Sequence, residues 1–247
     1  MNQRGNIAAV TFDAYSTLLD FSSDIASATG SVLGAIGAQC DNDALRRILG
    51  IMDRVVVREL DRFVNATREH FPDFVSLYDI HRAMFVEVER TVLPGIDVNA
   101  ATDAWNRYIS AVPLYEDARP AVEWCAERWP VAIVSDIDTW MLVENPILRE
   151  LPIRGVVTSE DEKTYKAMAD STMFDAAGRL LGVAPETILH VGDSSADVIG
   201  IKRAGGYAVW LNRKGVEPHD AAPEPDAEIT TLTDLPVVIE RIQRNGG

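Results

Sequence analysis

Residues 7–20 read Ile7-Ala8-Ala9-Val10-Thr11-Phe12-Asp13-Ala14-Tyr15-Ser16-Thr17-Leu18-Leu19-Asp20. The first six form a short, largely apolar run containing the β-branched Ile7, Val10 and Thr11. That length and character fit a strand buried on both faces of a parallel sheet. The run stops at a carboxylate, so Asp13 stands where strand hands over to loop. In open α/β sheets, ligands bind and chemistry is done outside the carboxyl ends of the strands. Asp is also a frequent turn residue, and on that alternative Asp13 only holds the turn.

Downstream, residues 20–113 read almost wholly as helix and contain no second strand. Ser22 or Ser23 can cap a first helix, which Gly30, Gly34 and Gly37 weaken by about 1 kcal/mol each relative to Ala. Asp41 or Asn42 precedes Ala44, Leu45, Ile48, Leu49, Met52, Val55, Val56 and Leu60, whose spacing of three and four predicts an amphipathic helix. Pro72 separates it from a second periodic run, Leu77 to Val92, which ends before Pro94 and Gly95. A third starts at about Asn99 or Thr102 and ends near Pro113. Such helices with short joints pack as a small bundle. Arg54, Arg58 and Arg62 share one face of the strongest helix, with Arg68 and His70 just beyond it. Arg54 and Arg58 are candidates to fork onto a substrate anion; the alternative is a solvated face paired with Glu59 and Asp61. Asn65-Ala66-Thr67 fits the glycosylation pattern, which carries no meaning in a cytoplasmic protein.

Past residue 113 the chain alternates. Asp117 or Ala118 to Trp129 reads as a helix with Pro120 in its first turn, where proline is tolerated. Val131 to Val134 is a second buried strand ending in Ser135-Asp136-Ile137-Asp138. A helix broken near Pro146, a short strand Gly155-Val156-Val157 and a polar loop from Ser159 to Lys163 follow. After a helix through Met173 to Leu181, the strand Ile188 to Val191 leads into Gly192-Asp193-Ser194-Ser195-Ala196-Asp197. Next come a helix ending at Gly205-Gly206, the strand Tyr207 to Leu211, a Pro- and acid-rich loop, and Ala227-Glu228-Ile229 as a last strand. Thr231 or Thr233 can cap a closing helix. This alternation predicts an α/β fold, a Rossmann-like parallel sheet with helices on both faces and right-handed crossovers.

Three strand ends thus present Asp13, Ser135 and Asp193 on one sheet edge, with a lysine available between the last two. Their order and spacing resemble the signature of the haloacid dehalogenase superfamily along nearly the whole chain. Its first motif, a strand ending in Asp-x-x-x-Thr-Leu, is matched by Asp13, Thr17 and Leu18. The resemblance implies an enzyme with a core of residues 1–19 and 114–247 and a helical cap of residues 20–113 that closes over the nucleophile. It implies Asp13 as a nucleophile that needs no deprotonation at neutral pH. Ser135 would hydrogen-bond the transferred group. Tyr165-Lys166-Ala167 matches a Tyr-Lys-Pro pattern with the proline lost, so Lys166 would neutralise the nucleophile and the bound anion, with Lys163 as competitor. The acidic fourth motif implies Mg2+, held by Asp13, Asp193 and the backbone carbonyl of Tyr15, with Asp197 in an outer position. Asp193 can alternatively serve as the cap of the helix after it.

Two chemistries stay open. Family phosphatases usually carry a second Asp, the general acid, where this chain has Tyr15; Tyr is what the two-halo-acid dehalogenases have there. Halide leaves without a proton, so a dehalogenase can dispense with that acid, an effect worth about 10²- to 10⁴-fold. Asp136, a candidate substrate contact, stands where the dehalogenases use Asn to hold halide and would repel it if ionised. The metal-free dehalogenases replace the acid at Asp193 with Ser, and here it is retained. The balance favours magnesium-dependent hydrolysis of a small-molecule phosphate ester. The alternatives are metal-free dehalogenation of short two-halo acids and a non-catalytic binding module that keeps the fold.

Composition bounds the partners. The 247 residues carry 23 Lys plus Arg against 38 Asp plus Glu, a formal net charge of -15, which disfavours nucleic acid and anionic membrane. An anionic small-molecule substrate then needs local positive charge. Cys40 and Cys125 are too few and too far apart for a disulfide framework or zinc cluster. No signal-peptide core and no apolar run near the roughly 18 residues of a membrane span are seen, so the expectation is a cytoplasmic monomer or homodimer.

Overall fold

The computed structural model describes residues 6–21, 25–64, 72–146, 148–168 and 170–245. Strand β1 (Ala9–Phe12) is followed by four helices, α1 (Ile25–Ala35), α2 (Asn42–Val64), α3 (Leu77–Thr91) and α4 (Val98–Ile109). The chain then alternates through α5 (Ala118–Ala126), β2 (Val131–Ser135), α6 (Thr139–Val143), β3 (Val156–Thr158), α7 (Ser159–Glu162), α8 (Thr172–Leu181), β4 (Ile188–Gly192), α9 (Ser195–Arg203), β5 (Tyr207–Leu211), β6 (Ala227–Ile229) and α10 (Leu235–Asn245). The six strands form one sheet in the order β3-β2-β1-β4-β5-β6, every pair parallel.

The strands are apolar at nearly every position because both sheet faces are covered. Val10 and Phe12 point into a cluster with Val122, Cys125, Leu235 and Ile239. Ala9, one position before Val10 and so on the opposite side of the pleat, faces Phe174, Val198 and Ile201. β1 lies centrally, with Val10 in register with Val131 of β2 and Leu189 of β4, so the carboxyl ends of β1, β2 and β4 are neighbours.

The four inserted helices bury a cluster of their own, including Leu33, Ile48, Met84, Phe85 and Trp105, which Tyr165 and Met168 join from the sheet side. The chain leaves and re-enters side by side: Asp20 N donates to the Pro113 carbonyl at 2.8 Å and Tyr115 N to the Leu18 carbonyl at 2.9 Å. No helix among the described residues is long and apolar enough to cross a membrane.

Several local expectations are corrected. α4 begins at Val98, because Asp97 accepts from Asn99 N and Ala100 N at 3.0 Å. The stretch expected as a polar loop is the short helix α7, capped by Thr158 and ended by Lys163 in the left-handed region at φ 53°. α5 stops at Ala126, short of Trp129. Ser22, Ser23, Arg68, His70 and the segment 65–67 lie outside the described residues.

Candidate active site

Asp13 is placed by the sheet itself. Its backbone N–H continues the β1–β4 ladder to the Val191 carbonyl at 2.9 Å. Ser16 then takes a positive φ of 62°, a conformation costly for a residue with a Cβ, and the chain folds back so that Leu18 N and Leu19 N both reach the Ala14 carbonyl. Tyr15, held in this turn, lines the same cavity as Asp13.

The structure sets Lys166, not Lys163, beside Asp13. Its Nζ lies 2.6 Å from Asp13 Oδ1, also donates to Asp197 Oδ1, and reaches the Val134 carbonyl at 3.4 Å. Those contacts use all three ammonium protons. Lys163 instead sits over the Phe74 ring, 5.1 Å from its centroid. Burial alone would lower the Lys166 pKa, but Asp13, Asp197 and Asp136 outweigh it and hold the ammonium charged. Asp13 is pushed up by burial and by Asp197, against the downward pull of Lys166.

Asp197 does not fit the role of a direct metal ligand. Its Oδ1 accepts from Lys166 and from His190 Nε2 at 3.0 Å, and its Oδ2 from Ser194 N at 2.9 Å and Ser194 Oγ at 2.6 Å. Four donors fill the lone pairs of a carboxylate. Burial pushes its pKa up, but Lys166 and His190 override this and keep it far below the ordinary range. Because His190 Nε2 gives its proton to a carboxylate, Nδ1 is bare and accepts from Thr11 Oγ1 at 2.9 Å. Gly192 makes this packing possible: a Cβ there would lie 2.1 Å from Asp197 Cγ. Ser194 and Asp197 form a reciprocal capping box on α9, which leaves Asp193 out of the capping altogether.

Asp193 turns its carboxylate to the cavity beside Asp13, and oxygens of Asp13, Asp193 and Asp197 lie within 4.8 Å of one another. Burial first, then Asp13 and Asp197, drive its pKa well above the usual carboxylate range. With Lys166 already shared between Asp13 and Asp197, and no ion pair to Asp193 among the described residues, the two neighbouring carboxylates make a hard-oxygen donor set short of positive charge. A magnesium ion fits that deficit. Ser135 is buried in the cavity wall, and its hydroxyl makes no hydrogen bond within the described residues, which leaves it available to a substrate. Asp136 also lines the cavity; burial pushes its pKa up to about 7, although Lys166 opposes the shift and Lys166 N donates to Oδ1 at 2.9 Å.

The cavity, about 610 Å³, lies between these strand ends and the inserted helices. Phe21, Ile25, Met52, Met84 and Trp105 supply apolar wall, with His81 and Asp53 as polar groups from the insertion and Lys214 from the sheet side. Arg54 and Arg58 are not among its lining residues. Both are exposed on α2, and Arg54 faces Glu87 at 3.5 Å across a separate groove. The helix buries Ile48, Ile51, Met52 and Val55, so a face one or two residues away points outward.

Three residues next in chain to the site hold the insertion by its backbone. Tyr15 Oη donates to the Ile109 carbonyl at 3.2 Å, and Tyr165 Oη donates to the Val75 carbonyl. Asp138 accepts from Leu77 N and Tyr78 N at 2.8 and 2.9 Å, at the start of α3. Burial, with Asp13 adding to it, raises the Tyr15 phenol above its ordinary value, which unfits it as an acid. His190 and His81 were missed from the sequence, yet each carried a signal: a polar residue inside an apolar strand, and one among the inward positions of a periodic helix.

A family model described as "Hydrolase: haloacid dehalogenase-like hydrolase" matches residues 7–205. A phosphoserine phosphatase of Thermus thermophilus is 39% identical over 67 residues, 27% of this chain and 26% of that relative, so the chain spans about a quarter of its length. Among solved structures, the HAD-hydrolase YfnB of Bacillus subtilis, bound to magnesium, superposes with a TM-score of 0.77 over 95% of this chain and 99% of its own at 17% identity. The L-2-haloacid dehalogenase of Xanthobacter autotrophicus, with chloropropionic acid covalently bound, gives 0.72 over 95% and 98% at 19% identity. At those identities the likeness concerns the fold.

Proposed function

The chain belongs to the haloacid dehalogenase-like hydrolases, and from that premise we propose that it hydrolyses a small-molecule phosphate ester through a covalent intermediate on Asp13, with magnesium as cofactor. The observation that carries this reading is Asp193, set beside Asp13 at the cavity with no ion pair of its own among the described residues, while Lys166 is shared between Asp13 and Asp197. Asp13, Asp193 and the backbone carbonyl of Tyr15 would hold the ion, which supplies positive charge against the transferred phosphoryl oxygens. An ionised Asp13 oxygen attacks phosphorus, the alkoxide departs, and water then cleaves the aspartyl phosphate to return the carboxylate. Lys166 keeps Asp13 ionised and aimed, and Asp197 with His190 holds Lys166 in place. The Ser135 hydroxyl orients the phosphoryl group. Tyr15, bonded to the Ile109 carbonyl, gives the leaving oxygen no proton, so esters of acidic alcohols react best.

Carbon–halogen hydrolysis by the same nucleophile is the second reading, favoured by Tyr15 and the apolar wall of the insertion. Against it stands the carboxylate of a halo acid, for which the insertion offers no Arg or Lys in the cavity among the described residues. The two separate in one assay of para-nitrophenyl phosphate and a short alpha-halo acid, each with and without chelator. Phosphate release abolished by chelator is expected. Halide release that ignores chelator, with no phosphate release, would overturn the phosphate reading.

A further inference from the structure

The insertion supplies part of the cavity wall, and the hydrogen-bonding character of His81 in that wall is determined by one buried chain of contacts. Asn106 Nδ2 donates to the Thr102 carbonyl at 2.9 Å, and a carbonyl can only accept. The amide orientation follows, so Asn106 Oδ1 is the atom facing His81 Nδ1, at 2.7 Å. His81 must then carry its proton on Nδ1. The other ring nitrogen, Nε2, is a bare lone pair with no partner among the described residues, on a ring that lines the cavity. Burial pulls the His81 pKa down to about 4, so the ring stays neutral and Nε2 stays an acceptor.

Trp105 also lines the cavity, and its ring meets that of His81 edge-on with centroids 6.3 Å apart. Its indole N–H is buried and has no acceptor among the described residues, although a buried tryptophan N–H normally finds one. That N–H is closed off from the cavity, so His81 Nε2 is the group on offer there: an unfilled acceptor set in an apolar wall, which matches a ligand group that donates a hydrogen bond. Asp53 adds negative charge on the insertion's side of the cavity, where no Arg or Lys offsets it among the described residues; Lys214 stands on the sheet side.

We propose that His81 is a specificity-determining residue, its Nε2 accepting a hydrogen bond from a hydroxyl on an otherwise apolar leaving group, and that the cavity disfavours leaving groups bearing a second anion. The identity of the ligand as a phosphate ester rests on the reading above; the recognition of its hydroxyl does not, because His81 belongs to the insertion.

The test compares linear alkyl phosphates of several chain lengths ending in methyl, hydroxyl, amine or carboxylate. Their binding to Asp13→Asn is measured by calorimetry with magnesium present, so that no turnover is needed. A well-placed hydrogen bond makes the hydroxyl ester of the best length about tenfold tighter than its methyl counterpart, with the carboxylate weakest. Adding His81→Phe, which keeps a ring and removes the acceptor, brings hydroxyl and methyl esters to near parity. No hydroxyl preference at any length, a preference that survives His81→Phe, or a preference for carboxylate overturns the proposal. Nitrogen-15 NMR of the wild-type protein is the second measurement, independent of any variant: the Nδ1–H tautomer at neutral pH is expected, and the Nε2–H tautomer refutes it. Phosphate release by the wild-type enzyme reports separately on the proposed function. Hydroxyl-selective binding without release from any ester sinks that function and leaves the recognition supported, whereas release without hydroxyl selectivity does the reverse.

Discussion

Lys166 and Lys163 lie three residues apart, and the difference between them is three hydrogen bonds. Lys166 is buried between two carboxylates, so losing its charge leaves Asp13 and Asp197 without compensation in a place where water cannot replace it. Lys163 rests on an aromatic face near the surface of a turn. Replacing each with Met keeps the aliphatic length. Lys166→Met is expected to cost about 3–5 kcal/mol in urea unfolding at neutral pH and to abolish turnover. Lys163→Met should stay within about 1 kcal/mol of wild type. An inactive Lys163 variant beside a normal Lys166 variant would refute the assignment. The same residue-scale logic explains Gly192 and Gly200. A Cβ on Gly200 would fall 2.5 Å from the Lys166 carbonyl, so α9 can lie against the lysine segment only if that position has no side chain.

At the scale of elements, α3 begins on acceptors drawn from two places. Ser76, its N-cap, accepts from Asp79 N, while Asp138, from the loop after β2, takes the first two amides, Leu77 N and Tyr78 N. A carboxylate there also meets the positive end of the helix dipole. Asp138 is thereby a tie between the strand end that carries Ser135 and the helix that carries His81. Asp138→Ala is expected to destabilise by about 1–2 kcal/mol and to speed amide exchange at Leu77 and Tyr78 before that of the α3 interior. Unchanged protection of those two amides would show that the carboxylate does not hold the helix.

The whole molecule carries a net charge of -15, so any cation will relieve some general repulsion. A specific magnesium site is distinguishable from that background. At about a hundredfold excess over Kd, a ligand that binds only the folded state adds about 2.7 kcal/mol. In a chain of this size each 1 kcal/mol is worth about 2–4 °C in Tm. Magnesium should therefore raise Tm by several degrees over sodium chloride of equal ionic strength, and Asp193→Ser should abolish the excess. An equal shift in the two salts, or one that survives Asp193→Ser, would mean that Asp13 and Asp193 hold no magnesium.

Read alone, the sequence determined the alternation of strands and helices, the inserted helical block, and the strand-end placement of Asp13, Ser135 and Asp193. These are properties of short runs, where hydrophobic period and the residue that ends a run can be read locally. It reached Lys166 only with a rival, because the decisive partner, Asp13, is 153 positions away. Tertiary structure alone decided that Asp197 is filled by Lys166, His190 and Ser194, that Tyr15 reaches a carbonyl 94 residues on, and that Arg54 and Arg58 turn away from the cavity. It also decided that His81 faces the cavity with its tautomer set by Asn106. Facing is relative to neighbours: the pattern on α2 marks which side is apolar, but which polar side chains then meet a ligand depends on how four helices stand over the sheet.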